Sequence, residues 1–205
     1  MGTTAIEGNP LSEEQIRAQV EGTLKLPPSQ EYLQREVQNI ISLTNEEIQM
    51  QVTAVEEKKD LCVGLLKSYN QLILAGLELD DDVVSGQLRT HSVVVGGIYR
   101  GAPAKDCPYL LDRLCEWLNG PDFVAPSPDL AIPYAVLRSV VAHVYLAWIH
   151  PFGDGNGRTA RMMEFHILFS SGLPLPASHL PAITTTRPGA ITTESSIERA
   201  SRAAT

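Results

Sequence analysis

Most of the chain carries an apolar residue every three or four positions, which is the spacing of helices that bury one face. A Ser-x-x-Gln capping box at 12–15 predicts a short helix to about residue 23. Two prolines at 27–28 interrupt the chain, and the apolar pattern then predicts a long helix to about Glu57. We expect Asp60 to cap a third helix, which ends near Gly76.

Three further helices are predicted in the second half of the chain, at 108–119, 131–149 and 158–171. The exception to helix is the segment Val93-Val94-Val95-Gly96-Gly97, which is followed by Ile98 and Tyr99. A Gly-Gly pair between β-branched residues favours a hairpin with a two-residue turn. We therefore predict an all-α fold, a helical bundle with one small β-hairpin.

Composition and charge narrow the functional classes without selecting one. The 205 residues, of which 43% are hydrophobic and 20% charged, suit one globular domain. The net charge of −8 argues against direct nucleic-acid binding, which needs a basic face, and against a polybasic membrane patch. We interpret the acidic run at 80–82 as a solvated loop rather than a metal site.

The cysteines and the N-terminus predict a cytoplasmic protein. Cys62, Cys107 and Cys115 are odd in number and lack the spacing of a zinc site or a disulfide framework, so we expect free thiols. The N-terminus has neither the basic nor the apolar region of a signal peptide. The most apolar stretch, 131–149, contains Arg138 and His143, which favours a core helix over a membrane span.

Candidate chemistry is concentrated in residues 150–161, His-Pro-Phe-Gly-Asp-Gly-Asn-Gly-Arg-Thr-Ala-Arg. Three glycines in five residues let the backbone curl, so that several N–H groups can face an anion. Arg158 and Arg161 then open a helix where acidic residues are usual, and two cations there suit a polyphosphate. Asp154 offers a hard oxygen ligand for magnesium, and an imidazole such as that of His150 suits a general base. Together these groups are typical of a phosphoryl- or nucleotidyl-transfer site.

Two other loop motifs do not fit this segment. An EF-hand that starts at Asp154 needs a glycine where Thr159 stands and a bidentate acid where Phe165 stands. A Walker loop needs a Gly-Lys-Ser/Thr sequence, which does not follow the glycines.

The segment from His150 to Arg161 resembles the signature of the Fic family, His-x-Phe-x-Asp-Gly-Asn-Gly-Arg-x-x-Arg, at every defining position. The predicted hairpin stands where that family has its target-docking flap. The resemblance covers roughly residues 3–182 and implies the Fic fold. It also implies transfer of AMP from ATP to a Ser, Thr or Tyr hydroxyl of a target protein, which can be the chain itself.

The resemblance implies a role for each residue of the signature. His150 would be the base that deprotonates the incoming hydroxyl, and Asp154 would hold Mg²⁺ between the phosphates. Arg158 and Arg161 would bind the β- and γ-phosphates. The other residues implied in ATP binding are Phe152, Gly153, Gly155, Asn156 and Gly157. The residues implied in target docking are Val93, Val94, Val95, Gly96 and Gly97.

A second motif near the N-terminus resembles the inhibitory motif of the same family, Ser/Thr-x-x-x-Glu-Gly/Asn. Its matching residues are Thr3, Glu7 and Gly8. The resemblance implies that the Glu7 carboxylate pairs with Arg161 and takes the place of the γ-phosphate, so that ATP cannot settle in line for transfer. A similar spacing at Ser42 lacks the final Gly or Asn, and we discount it.

We divide the chain into an inhibitory segment at 1–10, a catalytic domain at 11–182 and a tail at 183–205. The tail is rich in threonine and departs from the family pattern, and either a divergent tail or a shifted reading frame fits it. Within the enzyme class, de-AMPylation and transfer of another phosphate-containing group stay open. Outside that class, a non-catalytic interaction protein that binds nucleotide stays open, and so does a homodimer.

Overall fold

The computed structural model describes residues 9–53 and 60–174. The predicted inhibitory residues Thr3, Glu7 and Gly8 and the tail at 183–205 lie outside the described residues. The helices are α1 (Glu13–Val20), α2 (Glu31–Thr53), α3 (Val63–Ile73), α4 (Cys107–Leu118), α5 (Ala131–Ile149) and α6 (Asn156–Ser170). A two-stranded antiparallel sheet, β1 (Val94–Val95) and β2 (Tyr99–Arg100), connects α3 to α4. The predicted helical bundle with one small hairpin is confirmed.

Side-chain caps show where two of the helices begin. At α1 the Ser12 hydroxyl accepts a hydrogen bond from the Gln15 N–H at 3.3 Å, and the Gln15 side chain accepts one from the Ser12 N–H at 2.9 Å. The predicted capping box is therefore confirmed. Asp60 does not cap α3, because Cys62 Sγ accepts the hydrogen bond from the Leu65 N–H at 3.4 Å. A cap must directly precede the first helical turn, and Asp60 lies two residues before that position.

The hairpin forms at the predicted place with a turn one residue longer than expected. Gly96 and Gly97 both have positive φ, at 57° and 70°, which only glycine adopts without strain. The Ile98 N–H donates to Val95 O across both glycines at 3.2 Å, but the strand partner of Val95 is Tyr99. Ile98 is thus an extra residue outside the ladder, and it is 84% exposed.

The main core lies where α5 and α6 pack against each other, with α3 and α4 at their sides. Leu66 of α3, Leu111 of α4, Leu146 of α5 and Met163 of α6 meet in one fully buried cluster. Burial of such side chains stabilises a fold by about 1.5–3 kcal/mol each. Twelve of the fifteen residues of α6 are buried, so this helix is a rigid support for the loop that precedes it.

Helix α5 has one packed face and one exposed apolar face. Ala142 and Leu146 are fully buried against the core, as expected of a core helix. Leu137 and Trp148 are each more than half exposed, which the apolar sequence of α5 does not reveal. By length and composition alone the stretch Pro128–Ile149 could cross a membrane, but core helices of soluble domains pass the same test.

All three cysteines are free thiols, as predicted, with Cys62 exposed and the other two buried. Burial raises the pKa of the Cys107 thiol. Burial, followed by the charges of Cys62 and Asp112, raises the pKa of the Cys115 thiol to about 12. Thiols in such surroundings are unreactive. The cytoplasmic location stays a prediction.

Candidate active site

His150 ends α5 in a strained backbone conformation. Its φ and ψ of 50° and 59° are left-handed, and it is the one non-glycine residue with positive φ in the described part of the chain. This conformation costs a non-glycine residue roughly 1–2 kcal/mol. His150 Nδ1 lies 3.3 Å from Ala147 O, a contact that is satisfied when Nδ1 carries the proton. The same tautomer leaves Nε2 as the basic nitrogen.

Asn156 shapes the loop that follows the histidine. Its Oδ1 accepts from the Phe152 N–H at 2.9 Å, and its Nδ2 donates to Phe152 O at 2.8 Å. Phe152 is 1% exposed and also forms an isolated β-bridge with Leu88. Both amide atoms of Asn156 therefore hold the loop in shape.

Two loop glycines stand where a side chain has no room. A Cβ at Gly153 would lie 2.8 Å from the Val83 side chain. A Cβ at Gly155, where φ is +75°, would lie 2.9 Å from Asn70 Nδ2. Close approach explains the first glycine, and both close approach and backbone conformation explain the second.

Asn70 of α3 is a site residue that the sequence analysis missed. It is 1% exposed, and its Nδ2 donates to Asp154 O at 2.8 Å. Its Oδ1 accepts from the Gly86 N–H at 2.9 Å. A polar residue on the buried face of a predicted apolar helix is the one signal that could have singled it out. Through Asn70, α3 fixes the middle of the signature loop.

Arg158 lies at the start of α6 between two carboxylates. Its Nη1 donates to Glu36 Oε1 at 2.8 Å, and its Nη2 donates to Asp154 Oδ1 at 3.1 Å. Arg158 and Arg161 are both buried, with 4% and 5% exposure. A helix N-terminus with two buried guanidinium groups one turn apart is a site for a highly charged anion.

Glu36 of α2 is a second site residue that the sequence analysis missed. Its Oε1 accepts from Arg158, and its Oε2 accepts from Asn9 Nδ2 at 3.1 Å. Asn9 is 6% exposed and also donates to Leu33 O at 3.1 Å. The start of the described chain is therefore anchored one side chain away from the signature arginine.

The site fits a magnesium ion that arrives with a nucleotide. Within residues 9–53 and 60–174, no group of three or more His, Cys, Asp or Glu could hold a metal. Asp154 is the carboxylate of the signature loop, and its Oδ1 already accepts from the Gly155 N–H at 2.5 Å. Mg²⁺ commonly takes one or two protein carboxylates and completes its shell with phosphate oxygens and water. The partly exposed carboxylate of Asp154 can supply one such ligand.

The flap lies next to the candidate base. The Tyr99 hydroxyl donates to Trp148 O at 2.8 Å, and the Ala102 N–H donates to Ile149 O at 3.2 Å. A Cβ added at Gly101 would lie 3.1 Å from His150 Cβ. The structure thus brings the hairpin at 93–99 to the end of α5, next to His150.

A cavity of about 520 Å³ opens beside this site rather than within it. It lies between the start of α2 and the loop after α3, and Tyr32, Glu36 and Leu79 are among its lining residues. Glu36 is its one link to the signature arginines in the described part of the chain. The chemistry of the loop, and not the cavity, therefore locates the candidate site.

Residues 60–168 match the family model described as Fic/DOC family. Protein adenylyltransferase fic-1 of Caenorhabditis briggsae is 31% identical over 176 residues, which cover 84% of this chain and 31% of that protein. Protein adenylyltransferase Fic of Drosophila melanogaster is 32% identical over 118 residues, covering 58% of this chain and 22% of that protein. The chain spans about a third or less of the length of these curated relatives.

Two solved structures share the fold. A Fic family protein from Desulfovibrio desulfuricans has a TM-score of 0.65 at 23% identity and covers 98% of this chain and 56% of its own. Fic-1 from C. elegans has a TM-score of 0.66 at 24% identity and covers 98% of this chain and 61% of its own. The predicted fold class is thereby confirmed beyond the count of helices and strands.

Proposed function

Because the chain belongs to the Fic/DOC family, we propose that it is a protein adenylyltransferase that moves AMP from ATP to a hydroxyl side chain of a target protein. The observation that carries the proposal is the complete segment 150–161, which begins at His150 and ends with the two buried arginines Arg158 and Arg161. The names of the curated relatives support the same activity.

The residues divide the reaction between them. The hydroxyl oxygen of the target attacks the α-phosphorus of ATP, the bond to the bridging oxygen of pyrophosphate breaks, and pyrophosphate leaves. His150 Nε2 takes the hydroxyl proton, because the Ala147 carbonyl keeps Nδ1 protonated. Arg158, Arg161 and the N–H groups at the start of α6 stabilise the negative charge of the phosphates. Mg²⁺ held by Asp154 would offset part of that charge.

Two parallel assays with radiolabelled ATP test this activity. The chain is incubated with Mg²⁺ and ATP labelled at the α- or the γ-phosphate, with and without a protein extract. We expect protein-bound label from α-labelled ATP only, and none with His150→Ala. Label from γ-labelled ATP would indicate phosphoryl transfer instead. No protein label from either nucleotide, with the unmodified chain and with Glu7→Gly alike, would overturn the proposal.

We further propose that Glu7 restrains the enzyme. Asn9, two residues later, is anchored on α2 beside Glu36 and Arg158. Two residues of chain span at most about 7 Å, so the anchor at Asn9 is compatible with a pairing between the Glu7 carboxylate and Arg161. A carboxylate there repels the γ-phosphate and competes for the guanidinium groups.

The restraint is tested by removing the carboxylate. Glu7→Gly and the isosteric Glu7→Gln should raise α-label transfer about 10-fold or more. Glu46→Gln, on the exposed face of α2, serves as the matched control and should transfer like the unmodified chain. Equal labelling by all of these proteins would show that Glu7 does not inhibit.

A further inference from the structure

Arg89 is a buried cation whose hydrogen-bond partners are all backbone carbonyls in the described part of the chain. It is 5% exposed and lies between α3 and the hairpin. Its Nε donates to His150 O at 2.6 Å, and its Nη1 donates to His91 O at 2.6 Å. Its Nη2 donates to Ala102 O at 2.5 Å and to Ile149 O at 3.2 Å.

Three consecutive carbonyls around the candidate base accept hydrogen bonds from this one residue. The guanidinium takes Ile149 O and His150 O, and the Arg89 backbone N–H donates to Pro151 O at 2.9 Å. The last carbonyls of a helix carry partial negative charge, which a cation stabilises. A left-handed histidine persists only where its surroundings hold it in place. Arg89 supplies such surroundings on both sides of His150.

The same guanidinium also joins the two ends of the flap. His91 precedes the hairpin and Ala102 follows it, and both give their carbonyl oxygens to Arg89. The Gly101 N–H donates to Val93 O at 3.2 Å, which closes the base of the hairpin directly beside these bonds. The planar fork of arginine can meet this set of acceptors at once, and a lysine ammonium cannot.

We propose that Arg89 is a positioning residue for AMP transfer. It sets the distance between His150, the general base, and the two ends of the hairpin at His91 and Ala102. This proposal rests on the proposed function. Arg89 bonds to none of the signature arginines or their carboxylates among the described residues, so it acts on the placement of the hydroxyl and the base and not on ATP binding.

The substitution that tests this is Arg89→Lys in the Glu7→Gly chain. Lysine keeps the charge but loses the fork, so the single-turnover rate of α-label transfer should fall about 10- to 100-fold. The Kd for ATP with Mg²⁺ should change less than about 3-fold, since the arginine pair is untouched. Arg113→Lys, with a side chain that is 63% exposed on α4, is the matched control and should transfer at the parent rate.

A second variant probes the same junction without removing Arg89. A Cβ at Gly101 would lie 3.0 Å from Arg89 Nη2 and 3.1 Å from His150 Cβ, so Gly101→Ala should shift the flap against the base. We expect the same loss of rate with unchanged ATP affinity. Gly64→Ala is its control, because the added Cβ meets Cys62 Sγ at an ordinary 3.8 Å.

Hydrogen exchange gives a readout that does not depend on catalysis. In Arg89→Lys the amides of Gly101 and Ala102 should exchange at least about 10-fold faster, while those within α4 stay unchanged. If the Glu7→Gly chain transfers no label but these two amides exchange faster in Arg89→Lys, the proposed function is wrong, while the structural link that Arg89 makes between His150 and the hairpin is supported. If rate and exchange are both unchanged, or if ATP affinity falls with the rate and α4 also loosens, Arg89 has no positioning role.

Discussion

Two carboxylates reduce the positive charge that Arg158 could offer to a nucleotide. Glu36 and Asp154 each hold one side of the guanidinium. Under the proposed function Asp154 would bind Mg²⁺, whereas Glu36 is held in place by the hydrogen bond that its Oε2 accepts from Asn9 Nδ2. Under the proposed function, the triphosphate would therefore compete with Glu36 for Arg158, and this competition would add to the inhibition proposed for Glu7.

Neutralising Glu36 should therefore strengthen ATP binding. Glu36→Gln keeps the size of the side chain and one acceptor oxygen for Arg158 but removes the charge. We expect the Kd for ATP with Mg²⁺ to fall about 10-fold, which equals about 1.4 kcal/mol. Titration calorimetry measures it, with Glu46→Gln as the exposed control on the same helix. An unchanged Kd would show that Glu36 does not compete with the nucleotide for Arg158.

At the level of helices, a buried polar cluster fastens α2 and α3 to α6. The Tyr69 hydroxyl donates to Glu47 Oε2 at 2.8 Å, and His166 Nδ1 lies 2.7 Å from Glu47 Oε1 and 2.9 Å from the Tyr69 hydroxyl. Gln51 Nε2 donates to Glu47 Oε1 at 2.6 Å. Burial raises the pKa of Tyr69, and the charge of Glu47 raises it further. The cluster lies about two turns along α6 from Arg158, so it fixes the position of the helix that carries Arg158.

This cluster should make stability depend on acid pH. Burial alone would raise the pKa of Glu47, but hydrogen bonds from His166, Gln51 and Tyr69 and the charge of His166 lower it to about 2. A depressed folded-state pKa stabilises the fold above the unfolded value of 4.5 and loses that effect as pH falls toward 2.

Glu47→Gln removes the titrating group and should flatten this dependence. Urea unfolding at several pH values between about 5 and 3 measures the free energy of unfolding for both chains. We expect the unmodified chain to lose stability faster than Glu47→Gln as the pH falls. The exposed Glu46→Gln should follow the unmodified chain. Parallel curves for Glu47→Gln and the unmodified chain would contradict the assignment.

At the scale of the whole molecule, stability is concentrated on one side of α5. Leu146 is 0% exposed in the cluster that joins α3, α4, α5 and α6, whereas Leu137 is 54% exposed on the opposite face. The signature loop continues directly from this helix, so the packing that stabilises the fold also holds the site.

Substitutions on the two faces of α5 should differ strongly in their effect on the free energy of unfolding. Leu146→Ala should lower the free energy of unfolding by about 2–5 kcal/mol, because it leaves a cavity in the core. Leu137→Ala should stay within about 0.5 kcal/mol of the unmodified chain. Urea titrations at neutral pH measure both. A loss above 2 kcal/mol for Leu137→Ala would mean that this face is covered in solution.

Helix positions and the identity of the signature were predictable because both depend on short-range pattern. The apolar repeat located α5 at 131–149, and the capping box located the start of α1. Glu36 and Arg89 were not predictable, since each acts on residues more than sixty positions away. Asn70 stood out as a polar residue on an apolar helix face, but its partner Asp154 O, 84 positions away, could not be predicted. The extra turn residue Ile98 was also missed, because the Gly-Gly pair alone does not specify the strand register.

The sequence by itself determined the helical class, the hairpin and the loop chemistry of residues 150–161, because spacing and residue type are local properties. Only the tertiary structure decided which side chains hold that loop and which charges neutralise its arginines. Those contacts join α2, α3 and the flap junction to the start of α6 across long stretches of chain. A hydrogen bond depends on distance in space, and the fold alone sets that distance for residues far apart in sequence.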